Sequence, residues 1–276
     1  MPISKTGVVV IDSTCLKCFE SAKALEQVRD NMRTVDLQIR LSAINILEVM
    51  KTANPTIRNR LLKIIQDVSE GRPFLPWPHD LIKESGQAHA RGEKYFWSGD
   101  SGYEQSVYGS SIAEQDLDKA RKTMNSLETD FTHMHDNARK ELRPFLRKHK
   151  TVDYWNTAAA FLDEVWTTES HLSDYIRGIW KKIKLPGKAP IEAILEDEVW
   201  RIFLEINGFA AFERAVQEKQ PKRVHYPDLL QLVYVANNSR RIVVSSDGGF
   251  LRAARVILQH RYPNVRVEEC SDFLAF

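Results

Sequence analysis

Two hydrophobic textures divide the chain. Its ends carry short β-branched runs followed by helical stripes, and its middle carries helical stripes alone. GVVVID (7–12) is an apolar run without alternation, the pattern of a strand buried on both faces of a parallel sheet. Helical spacing follows over 14–30. It returns over 34–53, where Ile39, Ala43, Ile46, Leu47 and Met50 share a stripe that Asn54-Pro55 ends. Ile57, Leu61, Ile64, Ile65 and Val68 predict a third helix over 56–70, stopped by Gly71. PFLPW (73–77) reads as extended, with its prolines placing it at a sheet edge, and 79–90 reads as a helix.

Glycines, serines and aromatics over 92–111 predict a long loop. A charged helical stretch follows over 112–149, kinked at Pro144, and then a Trp- and Tyr-rich helical region over 151–183. LPGKAP (185–190) is a turn, and 190–219 is a helix that Gly208 weakens or divides. The α/β texture then returns. Residues 228–238 are helical, RIVVSS (241–246) is a strand, Gly248-Gly249 turns the chain, 250–260 is helical, and NVRVEE (264–269) alternates as a last strand. Neither end of the chain can build a sheet alone, so both share one, and the right-handed crossover rule makes it parallel. The expected fold is α/β, with a parallel sheet of four or five strands flanked by helices. One discontinuous domain spans 1–91 and 223–276, and 92–222 forms a large, mainly helical insertion.

Composition narrows the class without changing this picture. At 276 residues, 43% hydrophobic and 28% charged, the chain matches an ordinary soluble globular protein, which excludes disorder as its main state. No apolar run approaches the roughly 18 residues that cross a bilayer, and the run at Gly7–Ile11 is too short for a signal-peptide core. The expected location is the cytoplasm. A net charge of +2 selects no partner, and the basic groups over 139–150 and 181–188 read as solvated faces. Three cysteines make no disulfide framework. Cys15-x-x-Cys18 invites a redox or zinc reading, but there is no second pair and Cys270 is remote in sequence, so core packing is expected. His133 and His135 fall on different helix faces and make no metal site. No phosphate-binding glycine loop is present.

The chemistry lies in four acids. Asp12 and Asp247 each follow a strand, where a parallel sheet opens its ligand crevice. Glu48 sits inside the apolar face of LSAINILEVM, and Asp228 lies in the first turn of a helix after Tyr226-Pro227. Converging carboxylates repel, and a divalent cation with a taste for oxygen ligands, Mg²⁺ or Mn²⁺, removes the conflict. Taken singly, each acid also has an ordinary reading as a turn former, a helix cap or a partly solvated helix edge.

Together VVVIDSTCL, LSAINILEVMK, YPDLLQLVYVA and IVVSSDGGFL occur in an order that resembles the four acidic motifs of the PIN-domain nucleases. Asp12, Glu48, Asp228 and Asp247 match the acids of that family one by one. Ser245 stands where the family often has Thr or Ser, Phe250 matches its aromatic, and Ser13 and Thr14 match its small polar residues. The resemblance covers about 1–90 and 223–276. The chain departs from the usual PIN domain in length, because 92–222 separates the second acid from the third.

The resemblance implies a metal-dependent phosphodiesterase, generally an endoribonuclease, in which the four acids hold one or two Mg²⁺ or Mn²⁺ ions. Asp12 and Asp247 would be the central ligands, with Glu48 and Asp228 completing the shell. Ser13, Asn45 and Ser245 would orient ligands or water from behind. Arg240, Arg241 and Arg252, together with Arg255, Lys51, Arg58 and Arg60, are candidate phosphate contacts. Tyr95, Phe96, Trp97, Tyr103 and Tyr108 either stack on unpaired bases or anchor their loop. Many such nucleases are toxins of the VapBC kind, commonly homodimeric and held inactive by a protein antitoxin; defence and RNA processing are equally open roles. Two alternatives stand beside RNA cleavage: a structure-specific DNA nuclease, and a non-catalytic PIN-like module that recruits a protein partner.

Overall fold

The computed structural model describes residues 7–20, 22–34, 37–70, 72, 74–97, 145, 147, 153–166, 169–216, 226–237, 241–259 and 261–274. Within them β1 (Gly7–Ile11), β2 (Leu37–Arg40), β3 (Arg241–Ser245) and β4 (Val265–Glu269) form one parallel sheet in the order β2-β1-β3-β4. The two ends of the sequence meet at its centre, where Val9 stands between Ile39 of β2 and Ile242 of β3. Four strands are present among the described residues, and the fold class is α/β as expected.

Three elements differ from the sequence reading. The stripe over 34–53 is divided, because Leu37–Arg40 is a strand and only α2 (Ala43–Met50) is helical. A short apolar run fits either period, and burial of Leu37 and Ile39 beside β1 decides for the strand. A reciprocal capping box between Ser42 and Asn45 then fixes where the helix starts. The helix expected over 14–30 is a tight 3₁₀ segment, Ser13–Phe19, followed by α1 (Ala22–Thr34). The extended reading of 73–77 survives as a single bridge: Leu75 pairs with Ser42 and donates its N–H to Leu41 O at 2.8 Å. Next to it in sequence, α3 (Pro55–Ser69) and α4 (Pro78–Ala90) form close to where they were predicted.

Strand alternation sends side chains to two separate cores. Val9, Ile11, Ile242 and Val244 pack with the 3₁₀ segment, α1, α2 and α3 on one face. Val8, Val10, Val243, Val265 and Val267 face the other, which the middle of the chain covers. There α5 (Tyr154–Phe161), α6 (Glu169–Lys182), α7 (Ile191–Glu196) and α8 (Glu198–Val216) join α4, α9 (Tyr226–Leu230) and α10 (Gly248–Ala254). Residues 154–216 thus supply core on that face. The helix α8 is buried nearly all round, as a helix apolar on every side must be. The last element, α11 (Cys270–Leu274), follows β4 directly. No helix of the described residues is long and apolar enough to cross a membrane. The loop expected over 98–111, most of the helix over 112–149, and with them Tyr103, Tyr108, His133 and His135, lie outside the described residues.

Asp197, not Gly208, divides the helix expected over 190–219. Its Oδ1 accepts the N–H groups of Val199 at 2.7 Å and Trp200 at 3.2 Å. Its Oδ2 accepts Ser85 Oγ at 2.7 Å and His89 Nε2 at 2.9 Å, which ties α4 to the start of α8. Asp197→Ala removes the cap and leaves two buried donors without an acceptor. The expected cost is about 3 kcal/mol in urea denaturation. Gly208 serves close packing instead: a Cβ there would lie 2.6 Å from Trp166 Cδ1 and 2.7 Å from Leu162 Cδ2. Gly208→Ala is expected to lower stability by about 1–3 kcal/mol, read as a fall in melting temperature.

Candidate metal centre

The chain runs outward in both directions from the β1–β3 pair, so the sheet's switch point lies between those strands. A crevice opens at their carboxyl ends. Asp12 enters it directly from β1, its N–H held by Val244 O at 3.0 Å and its side chain buried. Three hydroxyls donate to its carboxylate: Ser245 and Thr14 to Oδ2, each at 2.6 Å, and Ser13 to Oδ1 at 3.4 Å. Backbone N–H groups orient two of these donors. Asp247 N donates to Ser245 Oγ at 2.9 Å and Ser246 N to Thr14 Oγ1 at 3.1 Å, which directs both hydroxyl protons toward Asp12.

Glu48 arrives on α2. Asn45 Nδ2 donates to Ile11 O at 2.9 Å, pinning the start of that helix to the end of β1. Ser42 Oγ donates to Gln231 Oε1 at 2.9 Å and so links α2 to the segment just after α9. Asp228 lies in α9, and one turn of helix separates it from Gln231. Carboxylate oxygens of Asp12, Glu48 and Asp228 all lie within 4.8 Å of one another. The capping box and the Ser42–Gln231 bond therefore fix two acids from distant parts of the sequence against a third.

The electrostatics are those of an acidic cluster short of positive charge. Asp228 is pushed up to about 10, first by burial, then by the charge of Glu48 and a hydrogen bond with it, then by Asp12, with Lys51 pulling the other way. Asp12 is also raised, chiefly by burial and further by Glu48, against the lowering effect of the Ser245 and Thr14 hydrogen bonds. Glu48 Oε2 is buried without a hydrogen-bond partner. An orphaned buried oxygen among three hard donors suits a divalent cation such as Mg²⁺ or Mn²⁺, which would satisfy that oxygen and relieve the repulsion together.

The site expected from the sequence is regrouped rather than reproduced. Asp247, expected beside Asp12 as a central ligand, is exposed and outside the cluster. Its Oδ1 caps α10, accepting Gly249 N at 2.7 Å and Phe250 N at 3.3 Å. Ser13 and Ser245 stand behind Asp12 as expected, and Thr14 contributes as strongly as Ser245. Asn45 does not support the acids from behind; its amide is taken up by the capping box and β1. Arg241, a candidate phosphate contact, is instead a structural residue: it pairs with both oxygens of Glu198 at 2.9 Å and lies over the Tyr262 ring. Arg255 donates to Val267 O, and Arg60 pairs with Glu20. Arg252 is exposed on α10, with its guanidinium 5.9 Å from the Trp155 ring. Arg240 lies outside the described residues. Of the loop aromatics, Trp97 is buried and Tyr95 donates to Glu84 Oε2 at 3.3 Å, both anchoring roles, while Phe96 is 52% exposed.

Comparison with family models, with curated proteins and with solved structures finds no match to this chain.

Proposed function

We propose that the chain is a PIN-like, Mg²⁺- or Mn²⁺-dependent nuclease that hydrolyses phosphodiester bonds, with RNA as its substrate. The observation that carries the proposal is the convergence of Asp12, Glu48 and Asp228 in the crevice at the sheet's switch point. The order of the acidic motifs supports it independently. Asp12, Glu48 and Asp228 would hold the ion. Bound there, Mg²⁺ or Mn²⁺ supplies positive charge against the phosphoryl transition state and lowers the pKa of water.

The protein's own residues do the rest. Ser245 and Thr14 orient Asp12 and favour its ionised form through donated hydrogen bonds. Lys51 favours ionised Asp228 from the end of α2. Asp228 holds its proton against Glu48 until a cation displaces it. The β1–β3 crevice fixes these groups on rigid strand ends, which keeps them oriented when a substrate phosphate arrives. Toxin, defence or RNA-processing work in the cytoplasm, a homodimer and control by a protein antitoxin belong to the same proposal and rest on the resemblance alone.

The test is cleavage of a mixed pool of labelled single-stranded RNA and DNA with Mn²⁺, Mg²⁺ or EDTA, wild type beside Glu48→Gln. RNA cleaved with either metal, spared with EDTA and spared by the variant is the expected result. Cleavage of DNA in preference to RNA would make the chain a DNA nuclease. A folded wild type that cuts neither, and that Mn²⁺ does not stabilise against heat, would sink the nuclease reading.

A further inference from the structure

The Cys-x-x-Cys pair is completed by the cysteine that is remote in sequence. Cys15 and Cys18 lie on the 3₁₀ segment directly after Asp12, and Cys270 opens α11 directly after β4. Packing of α11 against the 3₁₀ segment brings them together: Cys270 Sγ approaches Cys15 O at 3.9 Å, and the Cys270 thiol hydrogen-bonds with the thiols of both Cys15 and Cys18. All three are free. Their exposures differ, since Cys15 and Cys270 are buried and Cys18 is half-buried. An oxidant from solvent therefore reaches Cys18 first, and Cys270 is the thiol waiting behind it. Those hydrogen bonds favour the thiolate at Cys270, holding its pKa below the usual thiol range, as an attacking sulfur requires.

The same half-buried thiol touches the machinery of the acidic cluster. Cys18 Sγ lies 3.5 Å from Ser246 Oγ, Ser246 N donates to Thr14 Oγ1 at 3.1 Å, and Thr14 Oγ1 donates to Asp12 Oδ2 at 2.6 Å. A short hydrogen-bonded chain thus runs from the Cys18 sulfur to the central carboxylate.

We propose that Cys18 and Cys270 are an oxidation site for peroxides, forming a reversible disulfide that weakens cation binding at Asp12. Cys18 attacks hydrogen peroxide; the O–O bond breaks, Cys18 becomes a sulfenic acid and one water leaves. Cys270 thiolate then attacks the Cys18 sulfur and expels hydroxide, which takes up a proton and leaves as a second water. The two thiols lose two electrons in total, and the peroxide gains them. Joining the sulfurs draws Cys18 off Ser246 and slackens the Ser246–Thr14–Asp12 chain. Loss of such outer-sphere support is expected to weaken Mn²⁺ binding about tenfold. The cation half of the proposal rests on the metal reading above; the disulfide half does not.

The test treats the reduced full chain with hydrogen peroxide and maps its peptides by mass spectrometry without reductant. A Cys18–Cys270 peptide pair lighter by two hydrogens, and returned to thiols by dithiothreitol, is the expected product. Cys18→Ser should abolish it, and Cys15→Ala should leave it in place. Cys18 oxidised on to sulfinic acid, or a disulfide between Cys15 and Cys270, overturns the assignment in wild type without recourse to any variant. Mn²⁺ titrations of the reduced and oxidised chain decide the coupling: equal affinity overturns it. Absence of Mn²⁺ binding by the reduced chain overturns the metal reading and the coupling with it, while the mass shift still decides the disulfide.

Discussion

Asp12→Asn is expected to remove Mn²⁺ binding and to slow metal-dependent cleavage on the order of a thousandfold, beyond the roughly 10- to 100-fold lost with an outer-sphere partner. Asp247→Asn is expected to leave Mn²⁺ affinity near that of wild type. The contrast follows from placement. Asp12 is buried under three donated hydroxyls, with its oxygens within 4.8 Å of those of Glu48 and Asp228. An amide keeps the shape, but it offers one acceptor oxygen and no charge. Asp247 is exposed and engaged as a helix cap, a role asparagine fills equally well, so its variant should also keep the wild-type melting temperature. Calorimetric Mn²⁺ titration and initial cleavage rates on both variants decide the matter. Equal loss in the two would draw Asp247 into the metal shell and overturn the site of three acids.

The strands at the chain ends are legible because β-branched runs such as Val8–Ile11 and Ile242–Val244 carry their burial in their composition. Their parallel pairing follows from topology alone. β2 is not legible. Leu37 and Ile39 match a helical stripe as well as a strand, and the deciding term, contact with β1, is a tertiary one. The break at Asp197 is hidden for a related reason: the sequence shows an acidic run, while the cap depends on Ser85 and His89 from another helix. Gly208 misleads because glycine weakens a helix only where its missing Cβ is not needed for packing, and here Trp166 and Leu162 fill that space.

For the site, the order of acidic motifs identifies every acid that clusters and one that does not. Asp247 follows a strand just as Asp12 does, so spacing cannot tell a ligand from a cap; the direction of the side chain does. The weight of Thr14 comes from Ser246 N, which fixes its hydroxyl proton on Asp12 and has no signature in the sequence. Cys270 is equally hidden, because only the packing of α11 brings it to Cys15 and Cys18.

Without metal, the protein is expected to gain stability as pH falls from about 8 to about 5, the reverse of the usual behaviour of a paired carboxylate. Asp228 is raised from 3.8 to about 10 in the folded protein, so between those values the native state holds a proton that the unfolded chain has released. Stability then declines as pH rises through that window, and the raised Asp12 acts in the same direction. Summed over the window the effect is on the order of a few kcal/mol, the largest pH-linked term the site supplies. Mn²⁺ should invert it, because a cation favours the ionised acids: added metal stabilises more at high pH than at low pH, and its binding releases protons. Asp228→Asn removes the proton-holding group. That variant should unfold at a higher denaturant concentration than wild type near pH 8 without metal, show a flatter pH profile and gain little from Mn²⁺. Urea midpoints across the pH range, with and without Mn²⁺, measure all of this in one series. A metal-free wild type whose profile matches that of Asp228→Asn would mean that the Glu48–Asp228 pair is not held together in the folded protein, and the cation site would lose its physical basis.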